Sequence, residues 1–282
     1  MSSKLIIRGH CFDWGQRTYL MGVLNVTPDS FSDGGDFNSA SAALAQAQAM
    51  EAAGADIIDV GGQSTRPGAE QITLGEELDR VITVLQVLRE KISVPISVDT
   101  TRAAVAKASV EAGADIINDI SGGTFDSDML STVASLDVPI ILMHIKGTPL
   151  TMRQMTDYQD LMGEIYNFLA KQIAAATATG INREKIIIDP GIGFAKNYEQ
   201  NLEIFRRLQS LKALNSPILV GASRKSFIGR ILNQPEPKAR VWGTAVACCA
   251  AIFNGADILR VHDVREMRDV SLVADVLLRQ SN

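Results

Sequence analysis

Arg66, Lys225 and His262 stand in short polar segments that follow apolar runs, as does Thr65, while Arg260 lies within the last such run and Asn25 ends the first. Brought together they would form a cationic pocket for a phosphate or diphosphate. Asp99, Asn118 and Asp189 sit in the same kind of position with the opposite character. A carboxylate accepts two parallel hydrogen bonds from a guanidine-like N–C–N edge, and an aminopyrimidine ring presents that edge. Taken singly, such residues are as well explained as helix caps, turn formers or solvated charge, and that plainer reading is favoured for Asp119 and Asp263. The chemistry therefore rests on whether the fold makes them converge.

The elements that would position them are visible as eight short apolar runs: Tyr19 to Asn25, Ile57 to Gly61, Ile96 to Asp99, Ile116 to Asp119, Ile140 to Met143, Ile186 to Asp189, Ile218 to Gly221 and Ile258 to Val261. Most are β-branched and continuous, as expected of parallel strands covered on both faces. Helical patterns lie between them. Leu74, Leu78, Val81, Leu85 and Leu88 share a face behind a Thr73/Glu76 capping box, and Asp263/Glu266 repeats that signature before Met267, Val270, Ala274 and Leu277. Leu202, Phe205, Leu208, Leu211 and Leu214 mark another buried stripe. Gly-Ala-Asp recurs at 54–56, 113–115 and 255–257, each time before an Ile-rich strand, where glycine suits a left-handed helix end and Asp can accept backbone hydrogen bonds.

Eight strand-plus-helix units without a linker predict an α/β protein, a single (β/α)8 TIM barrel spanning 1–282, with a short N-terminal β-hairpin between Lys4 and Gly15 closing the barrel floor. A doubly wound open sheet is the alternative, but no G-x-G-x-x-G follows the first strand. In such a barrel the C-terminal strand ends form the working face, and all eight are polar: Asn25; Thr65 and Arg66; Asp99; Asn118 and Asp119; His144; Asp189; Ser223, Arg224 and Lys225; Arg260 and His262. The loops Asn25 to Gly35 and Gly61 to Gly68 exceed a minimal turn, and their Phe31 and Pro67 suggest lids.

The remaining composition narrows the class. With 46% hydrophobic and 21% charged residues in 282, the chain is neither disordered nor a disulfide miniature, and its net charge of −5 argues against nucleic acid or an anionic membrane as partner. Cys11, Cys248 and Cys249 form no C-x-x-C pair, which fits a reducing cytoplasm. The uncharged stretch Val241 to Ala256 is too short to span a membrane and reads as a buried helix, against the core or between subunits. Three histidines without H-x-H or H-E-x-x-H spacing disfavour a protein-built zinc site, whereas Mg²⁺ brought by a diphosphate asks for only one or two protein oxygens. His144 reads as structural. A Schiff base on Lys225 is conceivable, but its neighbours Ser223, Arg224 and Ser226 suit an anion or carbonyl ligand better.

In combination, Gly22 to Gly35, Ser64 to Gly68, Val98-Asp99-Thr100, Ile117-Asn118-Asp119, Asp189 to Phe194, Ser223 to Ser226 and Arg260 to Asp263 resemble the dihydropteroate synthase family. The resemblance implies a transferase of folate biosynthesis, usually a homodimer and a sulfonamide target, that joins 6-hydroxymethyl-7,8-dihydropterin diphosphate to 4-aminobenzoate. Carried over by position, Asp99, Asn118, Asp189 and Lys225 would hold the pterin. Thr65, Arg66, Arg260 and His262 would take the diphosphate, with Asn25 for Mg²⁺. Phe31, Pro67, Phe194, Lys225 and Ser226 would border the 4-aminobenzoate pocket, and catalysis would fall to Asp99, Lys225, Arg260 and His262. Gln63 replaces a common Glu, and Ala195 and Asn197 replace a frequent Gly and Thr. A pterin-binding methyltransferase is disfavoured because it has no need of the Asn25 to Gly35 loop with Ser-Thr-Arg-Pro-Gly, and a non-catalytic barrel because no strand-end charge is lost.

Overall fold

A computed structural model describes residues 4–26, 36–66 and 68–279, and of residues 36–39 the helical backbone alone. The expected order of elements is present. An antiparallel hairpin, β1 (Lys4–Ile7) and β2 (His10–Asp13), precedes β3 (Tyr19–Asn25), α1 (Asp36–Ala52), β4 (Ile57–Gly61), α2 (Leu74–Arg89), β5 (Ile96–Asp99), α3 (Ala103–Glu111) and β6 (Ile116–Asp119). There follow α4 (Met129–Leu136), β7 (Ile140–Met143), α5 (Leu161–Ala178), β8 (Ile186–Asp189), α6 (Tyr198–Arg207), β9 (Leu219–Val220), α7 (Ser226–Leu232), α8 (Val241–Phe253), β10 (Ile258–Val261) and α9 (Val264–Leu278). The sheet order β8-β7-β6-β5-β4-β3-β10-β9 is closed by a parallel bridge from Ile188 to Ile218. β9 is shorter than the Ile218 to Gly221 run: the Ile218 N–H donates to the Asp257 carboxylate rather than to the ladder, leaving only a single bridge to Ile188, and Gly221 already leads into the turn that carries Ser223 to Lys225.

In the eight-stranded barrel, period-two alternation gives each strand one face toward the helix layer and one toward the interior. Leu20, Leu24, Ile58, Val60, Ile96, Val98 and Ile117 point outward into the helix layer. Tyr19, Met21, Ile57, Ile116, Ile141, Ile187, Leu219 and Ile258 point inward, where Leu5, Ile7, Phe12 and Trp14 of the hairpin complete a separate core. The Phe12 ring lies 4.8 Å from Tyr19 and 5.4 Å from Trp14, so the hairpin plugs the floor as expected. Two residues further along several strands, the inward face changes from apolar to polar: Ile57 gives way to Asp59, Ile116 to Asn118, Ile187 to Asp189 and Ile258 to Arg260.

The Gly-Ala-Asp joints act as staples at the floor. Gly54, Gly113 and Gly255 have φ of +96°, +105° and +93°, and the following aspartates accept backbone N–H groups of the neighbouring strand region: Asp56 from Leu20, Asp115 from Ile96, Asp257 from Ile218. The Thr73/Glu76 capping box forms. The Asp263/Glu266 signature does not; Asp263 makes no cap bond because the Arg224 guanidinium engages both its oxygens. The stripe from Leu202 to Leu214 is buried along α6 and the 3₁₀ turns after it, with Leu202 itself only partly covered. The helix α8 is buried on one face only. Its Trp242, Val246 and Phe253 are exposed, beside the exposed Val273, Val276 and Leu277 of α9. Among the described residues no helix is long and apolar enough to cross a membrane.

Candidate active site

Register places the polar ends side by side. Asn25 pairs with Gly61, Gly61 with Asp99 and Asp99 with Asn118, so one row across β3 to β6 carries an amide, a gap, a carboxylate and an amide. Gly61 leaves that gap open: a Cβ there would lie 3.7 Å from Asn25 Oδ1 and 3.8 Å from the Asp99 Cβ. Asn25, at the end of β3, thus offers a hard oxygen beside open space, a donor suited to a Mg²⁺ that otherwise keeps its waters.

Below this row lies Asp59, fully buried in mid-strand, which sequence reasoning missed. Its Oδ2 accepts from Arg260 Nε at 2.6 Å, and its carboxylate faces Asn118 Nδ2 at 3.3 and 3.4 Å. Arg260 Nη2 donates to Asp99 Oδ2 at 3.0 Å. One guanidinium is thereby shared between two carboxylates. Burial pushes the Asp99 carboxyl up to about 7; Arg260 opposes the shift, while the neighbouring Asp59 charge adds to it. The amide of Asn118 is turned with its NH₂ toward Asp59, which leaves Oδ1 as an acceptor for a ligand. Asp189 gives Oδ1 to the Gly191 N–H at 2.7 Å, and burial raises its carboxyl to about 6.

The second half of the site comes from β9 and β10. Lys225 Nζ lies 4.3 Å from the Phe194 ring centroid, and burial, with Arg260 nearby, lowers its ammonium to about 8. His262 is held neutral, its pKa pushed down to about 3 by burial and by Arg224 and Arg260. The mouth is accordingly less cationic than a count of its basic residues suggests. Thr65 and Asp99 line one cavity of about 170 Å³ with Thr100 and Ile120. Arg66 and Ser226 are exposed at the rim. Phe31 and Pro67 lie outside the described residues.

Two of the three departures from the family pattern, Gln63 and Asn197, find a local role. Gln63 donates to Ser64 and Glu70 carbonyls and accepts from the Ile72 N–H, tying together a loop that docks through Gly68 N on Pro149 O. A Glu could accept from Ile72 but could not donate to the two carbonyls. Asn197 caps α6 in a capping box with Gln200, and Ala195 adopts φ +51°, a conformation that glycine holds with less strain. Lys196, between them, is a further group that sequence reasoning gave no role. It is buried, its Nζ lies 3.0 Å from His144 Nδ1 and donates to Phe194 O at 2.7 Å, and burial lowers its ammonium to about 7. It holds the loop bearing Phe194 against the end of β7. His144 is buried and neutral, as a structural histidine would be.

Comparison with known proteins agrees with this geometry. The family model described as "Pterin binding enzyme" matches residues 21–262. Dihydropteroate synthase of Synechocystis sp. is 58% identical over 95% of this chain and 93% of its own. Two structures of dihydropteroate synthase from Xanthomonas albilineans superpose closely. The one with 4-aminobenzoic acid has a TM-score of 0.92 and 39% identity over all of both chains. The one in complex with 7,8-dihydropteroate has a TM-score of 0.88 and 36% identity over 99% of this chain and 100% of its own. With the barrel, the carboxylate–amide row and the basic mouth in place, the chain belongs to the pterin-binding enzymes, in the dihydropteroate synthase family.

Proposed function

We propose that this protein condenses 6-hydroxymethyl-7,8-dihydropterin diphosphate with 4-aminobenzoate to give 7,8-dihydropteroate and diphosphate. The observation that carries the reading is the buried set of Asp99, Asn118 and Asp189 opposite Lys225 and Arg260. It supplies acceptors at Asn118 Oδ1 and Asp189 Oδ2 for the N–C–N edge of a pterin and donors for its carbonyl side. The relatives bound to 4-aminobenzoic acid and 7,8-dihydropteroate support the same substrates here.

The mechanism is a dissociative substitution at the pterin methylene carbon. As the C–O bond breaks, positive charge grows on the pterin and negative charge on the departing diphosphate. Asp99 and Asp189 face the first, and Arg260 and His262, held in place before the reaction, stabilise the second together with the exposed Arg66. When bound, Mg²⁺ held by the Asn25 oxygen would neutralise further charge on the diphosphate. Phe194, Lys225 and Ser226 border the approach of the neutral arylamine, and exclusion of water from this pocket protects the cation.

The exposed apolar faces of α8 and α9 suit a homodimer: Trp242, Val246, Phe253, Val276 and Leu277 would leave water together. Three free cysteines suit a reducing cytoplasm. Incubation of purified protein with both substrates and Mg²⁺ should yield dihydropteroate and equimolar diphosphate, and absence of dihydropteroate would refute the reading. Light scattering should give twice the chain mass.

A further inference from the structure

The Ser223 hydroxyl is buried and lies 3.2 Å from the backbone N and 3.0 Å from the ring Nδ1 of His262. The backbone N–H can only donate, so it occupies one lone pair of Ser223 Oγ. The hydroxyl proton then needs an acceptor, and among the described residues only His262 Nδ1 is within reach. Were Nδ1 protonated, both His262 groups would donate to Oγ and the hydroxyl proton would be left unsatisfied in the interior, at about 1–3 kcal/mol. With Nδ1 bare, the backbone N–H, the Ser223 hydroxyl and Nδ1 are all satisfied, and the ring proton falls on Nε2, at the opposite edge of the imidazole.

The pairing is reinforced on both sides. Arg224, next in sequence to Ser223, donates from Nε to Asp263 Oδ2 at 3.0 Å and from Nη2 to Oδ1 at 2.5 Å, so residues 223–224 and 262–263 meet as two adjacent couples. Arg224 holds φ +60°, a left-handed conformation that is strained for a side-chain-bearing residue. Its carbonyl accepts from Arg240 Nη1 at 2.9 Å, and its N–H donates to Thr244 Oγ1 at 3.1 Å. The backbone is thus fixed at the point where Ser223 meets the ring. A neutral imidazole suits the arrangement, since burial beside Arg224 and Arg260 disfavours a second proton.

We propose that Ser223 is a positioning residue that locks His262 in the Nε2–H tautomer, so that the ring presents a preformed N–H donor to the departing diphosphate. The tautomer stands on the Ser223 geometry alone; its use in catalysis rests on the assignment of His262 to the leaving group. The wrong tautomer would present a lone pair to a diphosphate oxygen and repel it.

The test is long-range ¹H–¹⁵N correlation of the three histidine rings in the full-length protein, with His262 assigned by its loss in His262→Gln. Wild-type protein should show a single neutral species with bare Nδ1 and protonated Nε2. Ser223→Ala should give a mixed or reversed pattern and lower kcat on the order of 10- to 100-fold with little change in KM for 4-aminobenzoate, and Ser223→Thr should restore both. A wild-type ring protonated on Nδ1 would overturn the proposal, and that measurement needs no variant. An altered tautomer in Ser223→Ala with unchanged kcat would uphold the lock but overturn the role of His262 at the leaving group.

Discussion

Replacing Asp59 by Asn tests the pairing on which the floor of the site depends. Asp59 is fully buried, and its carboxylate takes the Arg260 Nε at 2.6 Å while facing the Asn118 amide. Breaking a buried, hydrogen-bonded ion pair by removing one partner costs roughly 3–5 kcal/mol. The substitution is milder. Asp99 still holds Arg260 Nη2, and a new amide oxygen could accept from Nε, but its NH₂ would then oppose the NH₂ of Asn118. A loss of about 2 kcal/mol is expected. Urea denaturation at constant slope measures it, and a cycle with Arg260→Gln isolates the coupling, expected at about 2 kcal/mol. Removing the Asp59 charge should also lower the Asp99 pKa, because that charge is one of the causes holding it up. Any acid limb of the pH–rate profile that reports Asp99 should then move to lower pH. Additivity of the two single substitutions to within about 0.5 kcal/mol would refute the shared-guanidinium argument.

Burial pushes the Asp189 carboxyl up to about 6, well above the ordinary carboxylate range, so its ionisation opposes folding. Asp189→Asn should therefore abolish turnover yet stabilise the protein by on the order of 3 kcal/mol at pH 8. That gain should shrink as pH falls through 6 and vanish below about 4, where both states are protonated; a pH-independent difference in unfolding free energy would contradict the assignment. Gly191→Ala should lose at least about 2 kcal/mol in a melting experiment, since at φ +72° its Cβ would sit 2.1 Å from the His144 carbonyl oxygen; an unchanged midpoint would show that the turn yields freely. Phe12→Ala, at the floor, should destabilise by about 3–5 kcal/mol while leaving KM for both substrates unchanged, and a change in KM would mean that the floor and the mouth are coupled.

The barrel was legible because its strands repeat one pattern. Seven of the eight apolar runs coincide with strands, and the Gly-Ala-Asp joints mark where helices end. The strand-end residues were legible for the same reason, since parallel strands bring their C-terminal ends to one face. What escaped was partnership. Asp59 and Arg260 are 201 residues apart, and only the closed sheet makes them neighbours. A sharper reading was available in the period-two sequence: Ile57 to Asp59 repeats the step from Ile116 to Asn118 and from Ile258 to Arg260. Asp263 was misread because a local cap signature cannot reveal that Arg224, folded from 39 positions away, competes for both oxygens. Similarly, the uncharged composition of α8 shows that it avoids water but not which face the protomer itself covers.

The central claim is that buried carboxylates facing the pterin and fixed donors facing the diphosphate let the C–O bond break before the arylamine bonds to carbon. The α-secondary deuterium isotope effect on kcat/KM, with the pterin methylene dideuterated and 4-aminobenzoate as acceptor, reads this directly. A clearly normal effect, the deuterated substrate reacting more slowly as the carbon flattens toward a cation, is the result expected. An effect at unity or inverse would mean that the amine is already bonding as the diphosphate leaves, and would contradict the account.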